Sequence, residues 1–213
     1  MEFLLLELHD LGYYDIVVID GKSIDQTWEV AKKHGAKVML HKGLGKGDAV
    51  IQALKEAPMD VDAMVLMDAD GSMDPKEIPS FVEGLVSGAD LVKGSRFLKD
   101  GYTYDMSALR RIGNTVFVSL VNLLFRTKFS DLCYGFIVFN KQSVKVLSPL
   151  LKSQNFEIET EIIVEATKAG LKVIEVPSTE FERKNGNSNL HTFRDGFKIL
   201  KTIFRSFLPK IDL

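Results

Sequence analysis

Two acids one residue apart, Asp68 and Asp70, follow directly on the apolar run Met64-Val65-Leu66-Met67 and precede Gly71-Ser72. Such a run reads as a buried strand, and ionised carboxylates at its end are costly to bury unless paired or bound to a cation. A divalent metal bridging them to a phosphate would satisfy both, because hard cations take oxygen ligands and use only one or two protein carboxylates. A solvated turn is the alternative, since Asp and Gly are common turn formers. Upstream, Gly43-Leu44-Gly45-Lys46-Gly47 opens a helix and can offer backbone N–H groups and a lysine to phosphate. It lacks the spacing and the Ser/Thr of a Walker loop, and a flexible loop has the same composition. Asp20 ends a second buried run, residues 16–19. If these strands run parallel, Asp20, Lys46 and Asp68 meet at one sheet edge, where such sheets bind ligands.

Further along, Ser95-Arg96 and Arg110-Arg111 bracket a polar loop. Arginine forks match phosphate oxygens, so the group suits a second anionic substrate. A solvated basic helix face is the competing reading. Glu157, Glu159 and Glu161 stand at a helix start, where acids favour the dipole in any case. Glu157 and Glu161 share a face and Glu159 does not; one of the three could serve as a base. Cys133 and the four histidines show no ligand spacing.

The elements that must position these residues alternate. Apolar runs at 16–19, 37–40, 64–67 and 90–93 are separated by helical stretches at 25–34, 47–57 and from Pro75 onward. That alternation predicts an α/β fold with a mostly parallel sheet and flanking helices. After Gly94 come a polar loop, a helix over 107–125, a strand at 136–139, helices at 141–147 and 156–169, and a strand at 172–176. With no repeat or linker in 213 residues, one domain is expected, with halves 1–94 and 95–190 and a last helix in 191–213.

A net charge of −2 gives no general pull toward nucleic acid, and a single cysteine excludes an internal disulfide. No run reaches about eighteen apolar residues, the length of a membrane span; the nearest, 115–125, also carries Ser119 and Asn122. The first six residues lack the basic start of a signal peptide. A cytoplasmic location is expected, with peripheral membrane contact through 192–208 as the open question. There Phe193, Phe197, Leu200, Phe204 and Phe207 recur at helical spacing among Arg194, Lys198, Lys201 and Arg205. A basic amphipathic helix rests on an anionic membrane or packs on its own core.

Taken together, the stretches Val18-Ile19-Asp20-Gly21, Gly45-Lys46-Gly47, Met67-Asp68-Ala69-Asp70-Gly71, Gly94-Ser95-Arg96, Asp131-Leu132-Cys133-Tyr134-Gly135-Phe136, and Arg183 with Gly186, Ser188, Asn189 and Leu190 resemble the family-2 glycosyltransferases. The dolichyl-phosphate (polyprenyl-phosphate) mannosyltransferase-like branch is the most similar. The resemblance implies a GT-A type fold and an inverting transfer of a hexose from GDP-mannose or UDP-glucose to a polyprenyl phosphate. It implies that Asp20 and Lys46 serve the nucleotide, that Asp68 and Asp70 hold Mg²⁺ or Mn²⁺, and that Arg96, Arg110, Arg183 and Ser188 approach the acceptor phosphate. Asp70 and one of Glu159 and Glu161 are the expected catalytic carboxylates. Transfer to a saccharide hydroxyl, with a glutamate as base, and a non-catalytic nucleotide-sugar-binding protein are the rival functions. Family members begin with a strand and an acidic loop of the type Val-Val-Ile-Pro-x-Tyr-Asn-Glu-Glu, whereas this chain starts within the following helix. That strand is central, so an open or rearranged sheet is expected.

Overall fold

The computed structural model describes all residues except 22, 24, 42, 44, 59, 185–189 and 209–213. Its centre is β4 (Leu91–Ser95), buried along its whole length between β6 (Ile137–Asn140) and β7 (Val173–Pro177). A fourth strand, β3 (Ala63–Leu66), lies beyond β6. β7 runs parallel to β4, while β6 is antiparallel to both β3 and β4. Three strands therefore share a direction, as the alternating pattern predicts, and β6 is the exception. The reason is local. The chain leaves β4 and re-enters the sheet at the same edge, where Gly94 N–H donates to the Phe136 carbonyl at 2.9 Å, so β6 must run back.

Side chains alternate across this sheet with the period of two that a pleated strand imposes. Leu91, Ile137 and Phe139 face one core with Ile158, Ile162 and Ile163 of α7 (Ile158–Lys168). Val92, Phe136 and Val138 face another with Ile78 and Phe81 of α4 (Ile78–Val86), which follows a 3-10 turn at Pro75–Glu77. Phe81 stacks on Phe136 at 4.3 Å between ring centroids. Around the first core lie α3 (Lys46–Glu56), α5 (Ala108–Phe125), α6 (Lys141–Leu147) and α8 (Thr192–Phe207). Two short strands, β5 (Tyr102–Thr103) and β8 (Thr179–Glu180), pair in parallel and tie the polar loop to the chain after β7. They are too short for the sequence pattern to show.

The N-terminal part stands apart. α1 (Glu2–Asp10) and α2 (Thr27–Lys33) cover a two-stranded parallel sheet of β1 (Val17–Asp20) and β2 (Lys37–Leu40). Among the described residues no strand pairing joins β1 to β3. α1 spans the two parts instead: Leu5 is buried with Ala31 and Ala36, and Leu8 packs on the α4 core.

α5 is, among the described residues, the one helix long and apolar enough by length and composition to cross a membrane. It is the helix expected over 107–125, and the apolar run 115–125 is its C-terminal part. Asn114, Phe117 and Val121 are its buried residues, while Leu109, Ile112, Val116 and Leu123 are exposed.

Candidate functional site

β3 delivers the chain to Asp68, and a turn follows that only glycine suits. Gly71 has φ +83°, and a Cβ there would lie 2.3 Å from the ring of Phe3, the α1 residue packed on this turn. Within the turn, Asp70 Oδ1 accepts from the Ser72 N–H at 3.0 Å and its hydroxyl at 2.7 Å. Asp70 Oδ2 pairs with Arg183 Nη1 at 3.1 Å, and Arg183 Nε donates to Asp105 at 3.0 Å. Arg183 is placed by backbone bonds that lay the segment after β8 along the turn: Phe181 N–H to the Ser72 carbonyl and Lys184 N–H to the Asp70 carbonyl.

Lys46, the first residue of α3, reaches Asp68 at 2.7 Å and Glu159 at 2.6 Å. Gly135 makes room for this triad. A Cβ there would sit 2.7 Å from Lys46 Nζ and 2.8 Å from Glu159 Oε1. Burial opposes the lysine charge, but the two carboxylates outweigh it and hold the ammonium above its usual range. Burial, with Asp68 close by, pushes the Glu159 carboxyl up despite Lys46. A cavity of about 120 Å³ includes Lys46, Asp68, Glu159, Arg110 and Arg183 in its walls and continues between α5 and α8.

Other expected residues do different work. Arg96 is buried and its fork is engaged: Nε and Nη2 donate to Asp131 at 2.7 and 2.9 Å, Nη1 to Glu180 at 3.0 Å, and Nη2 also to the Cys133 carbonyl. Burial disfavours its charge, yet Asp131 and Glu180 more than compensate and raise its pKa. Arg96 is therefore a strut of the wall rather than an open phosphate fork. Glu161 points away from the cavity; it accepts from Lys152 N at 3.0 Å and Ser153 N at 2.7 Å and pairs with Arg205 of α8. Helix geometry separates it from Glu159, since residues two apart do not share a face. Asp20, the last residue of β1, is buried; its carboxylate accepts from the Ser23 N–H and hydroxyl, and it does not line the cavity. Arg110 does line it, near the Leu190 carbonyl at 3.4 Å. Ser188 lies outside the described residues.

The glycines around Lys46 also have a different reason from the expected one. A Cβ at Gly47 would lie 2.1 Å from the Ser153 carbonyl oxygen, and one at Gly45 would lie 2.6 Å from that of Gln154. The Asp48 N–H donates to the Gln154 carbonyl. Close backbone approach, which only glycine permits, holds the start of α3 against this loop. The side chain of Lys46 faces the acids.

Behind the wall lies a buried charge network that sequence reasoning did not single out. Lys93 on β4 is fully buried and donates to the carbonyls of Gly94 and Asp131 at 2.9 and 2.6 Å, with Glu175 3.6 Å away. Glu175 accepts from the backbone N–H groups of Ser130 and Asp131. Asn114 Oδ1 accepts from those of Leu132 and Cys133. The signal was present: a lysine inside a strand that reads as wholly buried requires partners. Burial first, then Glu159 and Asp131, push the Cys133 thiol up to about 12, so it stays protonated and inert.

Replacing Glu161 with Ala should therefore lower stability while leaving nucleotide affinity intact. Losing hydrogen bonds to a charged group costs on the order of 2–4 kcal/mol here, discounted for the half-exposed Arg205. Denaturant unfolding and nucleotide titration of the same variant check this. A stable E161A that loses turnover would return Glu161 to the chemistry.

Comparison with known proteins bears on what this geometry belongs to. The model of glycosyl transferase family 2 matches residues 4–147. The chain is 34% identical over 200 residues to glycosyltransferase AglJ of Haloferax volcanii, covering 93% of this chain and 65% of that protein. It is also 34% identical over 199 residues to the dolichol-phosphate mannosyltransferase of Pyrococcus furiosus, covering 90% of this chain and 54% of that one. It thus spans from about half to just under two thirds of these relatives' lengths. Glucosyl-3-phosphoglycerate synthase of Mycobacterium tuberculosis, solved with Mn²⁺, UDP and glucosyl-3-phosphoglycerate, superposes with a TM-score of 0.74 at 19% identity, over 99% of this chain and 76% of that one. At that identity the likeness concerns the fold alone, which is GT-A-like. An Asp-x-Asp turn at the end of β3, held beside a lysine and an arginine within this fold, agrees with the sequence match over most of the chain: the protein belongs to glycosyl transferase family 2.

Proposed function

We propose that this chain carries the transfer centre of a metal-dependent, inverting hexosyltransferase that moves a sugar from GDP-mannose or UDP-glucose to a polyprenyl phosphate at the cytoplasmic face of a membrane. The observation that carries it is the convergence of Asp68, Lys46, Glu159 and Arg183, with Asp70 beside them, on one cavity that continues between two helices with exposed apolar residues. The name of the Pyrococcus relative supports a polyprenyl-type acceptor, and the Mn²⁺ and UDP of the Mycobacterium structure support a metal and a nucleotide.

The donor set suits a hard divalent ion. Among the described residues no cluster of three or more metal-ligating side chains occurs, but Mg²⁺ and Mn²⁺ need only one or two carboxylates when substrate phosphates supply the rest. Asp68 and Asp70 would hold the ion, which would neutralise charge on the departing nucleotide diphosphate. Lys46 and Arg183, already paired with these acids, add positive charge on both sides of the turn. Arg110 faces the acceptor end of the cavity as a phosphate partner. A phosphate acceptor is anionic at neutral pH, so no strong base is required. Glu159 favours a second reading, because a buried carboxyl with a raised pKa suits proton abstraction from a saccharide hydroxyl.

Calorimetric titration of GDP-mannose and UDP-glucose with and without Mn²⁺ tests the proposal. Binding of one of them that depends on Mn²⁺ is expected. A non-catalytic protein of another kind would show no metal-dependent binding to either, and that result overturns the reading.

A further inference from the structure

Both helices that flank the far part of the cavity carry a glycine in mid-helix on the cavity side, Gly113 on α5 and Gly196 on α8. Glycine is poor in a helix interior, and these two serve no close backbone contact. A Cβ at Gly113 would meet only Phe117 Cε2, at 4.0 Å, and one at Gly196 only Phe117 Cζ, at 3.6 Å. Unlike Gly45, Gly47 and Gly135, they are not there to avoid a collision. What they do is leave space next to the Phe117 ring, in a wall that also includes Leu109 and Ile199. The space opens onto an apolar surface: Leu109 is 48% exposed, Ile112 62%, Phe193 82% and Phe197 70%. Its other end reaches the acids, with Arg110 between.

We propose that Gly113 and Gly196 hold open a channel for the first units of an isoprenoid chain whose phosphate head lies at Arg110, and that this glycine pair selects a chain-bearing acceptor over a soluble one. The inference rests on the acceptor reading above and deepens it. The wall also holds Asn114 and Asp195, and both are engaged: Asn114 Oδ1 accepts from the Leu132 and Cys133 N–H groups, and Asp195 accepts from the His191 N–H and pairs with Lys198. A cation meets the anionic head, apolar side chains and two bare backbones meet the tail, and the exposed aromatic residues continue into a lipid phase. A soluble phosphorylated sugar would need polar partners where Leu109, Phe117 and Ile199 stand.

The test uses G113L and G196L, with G113A and G196A as graded steps. An added Cβ meets no steric conflict at either position, so G113A and G196A should leave the melting temperature unchanged or higher, and the same measurement on the leucine variants shows that they fold. Calorimetry measures affinity for farnesyl phosphate and for inorganic phosphate in the presence of Mn²⁺, and a parallel assay measures sugar transfer to farnesyl phosphate. The wild-type protein should prefer farnesyl phosphate by at least about tenfold, equivalent to burying a few methylenes, and the leucine variants should lose most of that preference. A preference kept in both leucine variants, or absent from the wild-type protein, overturns the channel. A preference lost in the variants although the wild-type protein transfers no sugar supports the channel and sinks only the transfer reading. Sugar transfer without any chain preference does the reverse.

Discussion

Asp70→Asn should abolish metal-dependent donor binding, with Asp68→Asn weaker but in the same direction. Asp70 Oδ1 accepts from Ser72 and Oδ2 pairs with Arg183, and the substitution removes the negative charge that would hold the ion. Asn retains the acceptor for Ser72 and hence the turn. Asp68 shares Lys46 with Glu159, so its loss leaves the lysine one carboxylate partner. Outer-shell partners of metal sites are typically worth about 10–100-fold in affinity, so removing a direct ligand should cost at least about a hundredfold. Relief of repulsion between the two acids should leave thermal stability without metal unchanged or raised. Mn²⁺ titration by calorimetry decides the matter, and unchanged affinity in both variants would falsify the metal assignment.

The second large effect concerns the fold. Arg96→Ala strands Asp131, which is fully buried, and takes a partner from Glu180 as well. Breaking a buried pair by removing one member costs roughly 3–5 kcal/mol. Against a total stability of about 5–15 kcal/mol, R96A should unfold at much lower denaturant concentration or fail to accumulate. Arg96→Lys keeps a charge but not the fork, and should recover only part of the loss. The pH dependence follows from Asp131. Burial pushes its carboxyl up, but Arg96 and Lys93 outweigh burial and hold it below the usual aspartate range. A depressed folded-state pKa means that the stabilisation is present above the unfolded-state pKa and is lost as pH falls through the folded one. Wild-type protein should therefore keep this contribution at neutral pH and lose it only in acid, and Asp131→Asn should flatten that limb. An R96A protein of near-normal stability that specifically loses use of a phosphate acceptor would return Arg96 to the substrate.

The sequence by itself determined the elements and the site's acids. Runs of apolar residues located β1 to β4, all but β2 ending in Asp or Gly, and Asp-x-Asp at the end of one of them marked a place where charge needs a cation. These are local signals, carried by period and by the chemistry of neighbours along the chain. Tertiary structure decided which charges meet. Arg96 had the composition of a phosphate fork, but Asp131 and Glu180, 35 and 84 residues away, engage it. Lys46 was read as part of a backbone cradle, but Gly135 and Glu159, from the far half of the chain, define its surroundings. Glu159 and Glu161 differ by two residues, and helix rotation alone sends one into the cavity and the other to Arg205. The glycines make the same point. Gly47 and Gly113 look alike in sequence, yet one is excluded from bearing a side chain by the Ser153 carbonyl and the other faces open space. Pairing across tens of residues depends on the packed sheet and helices, because a charge acts on whatever the fold brings within a few ångströms, and no spacing along the chain records that distance.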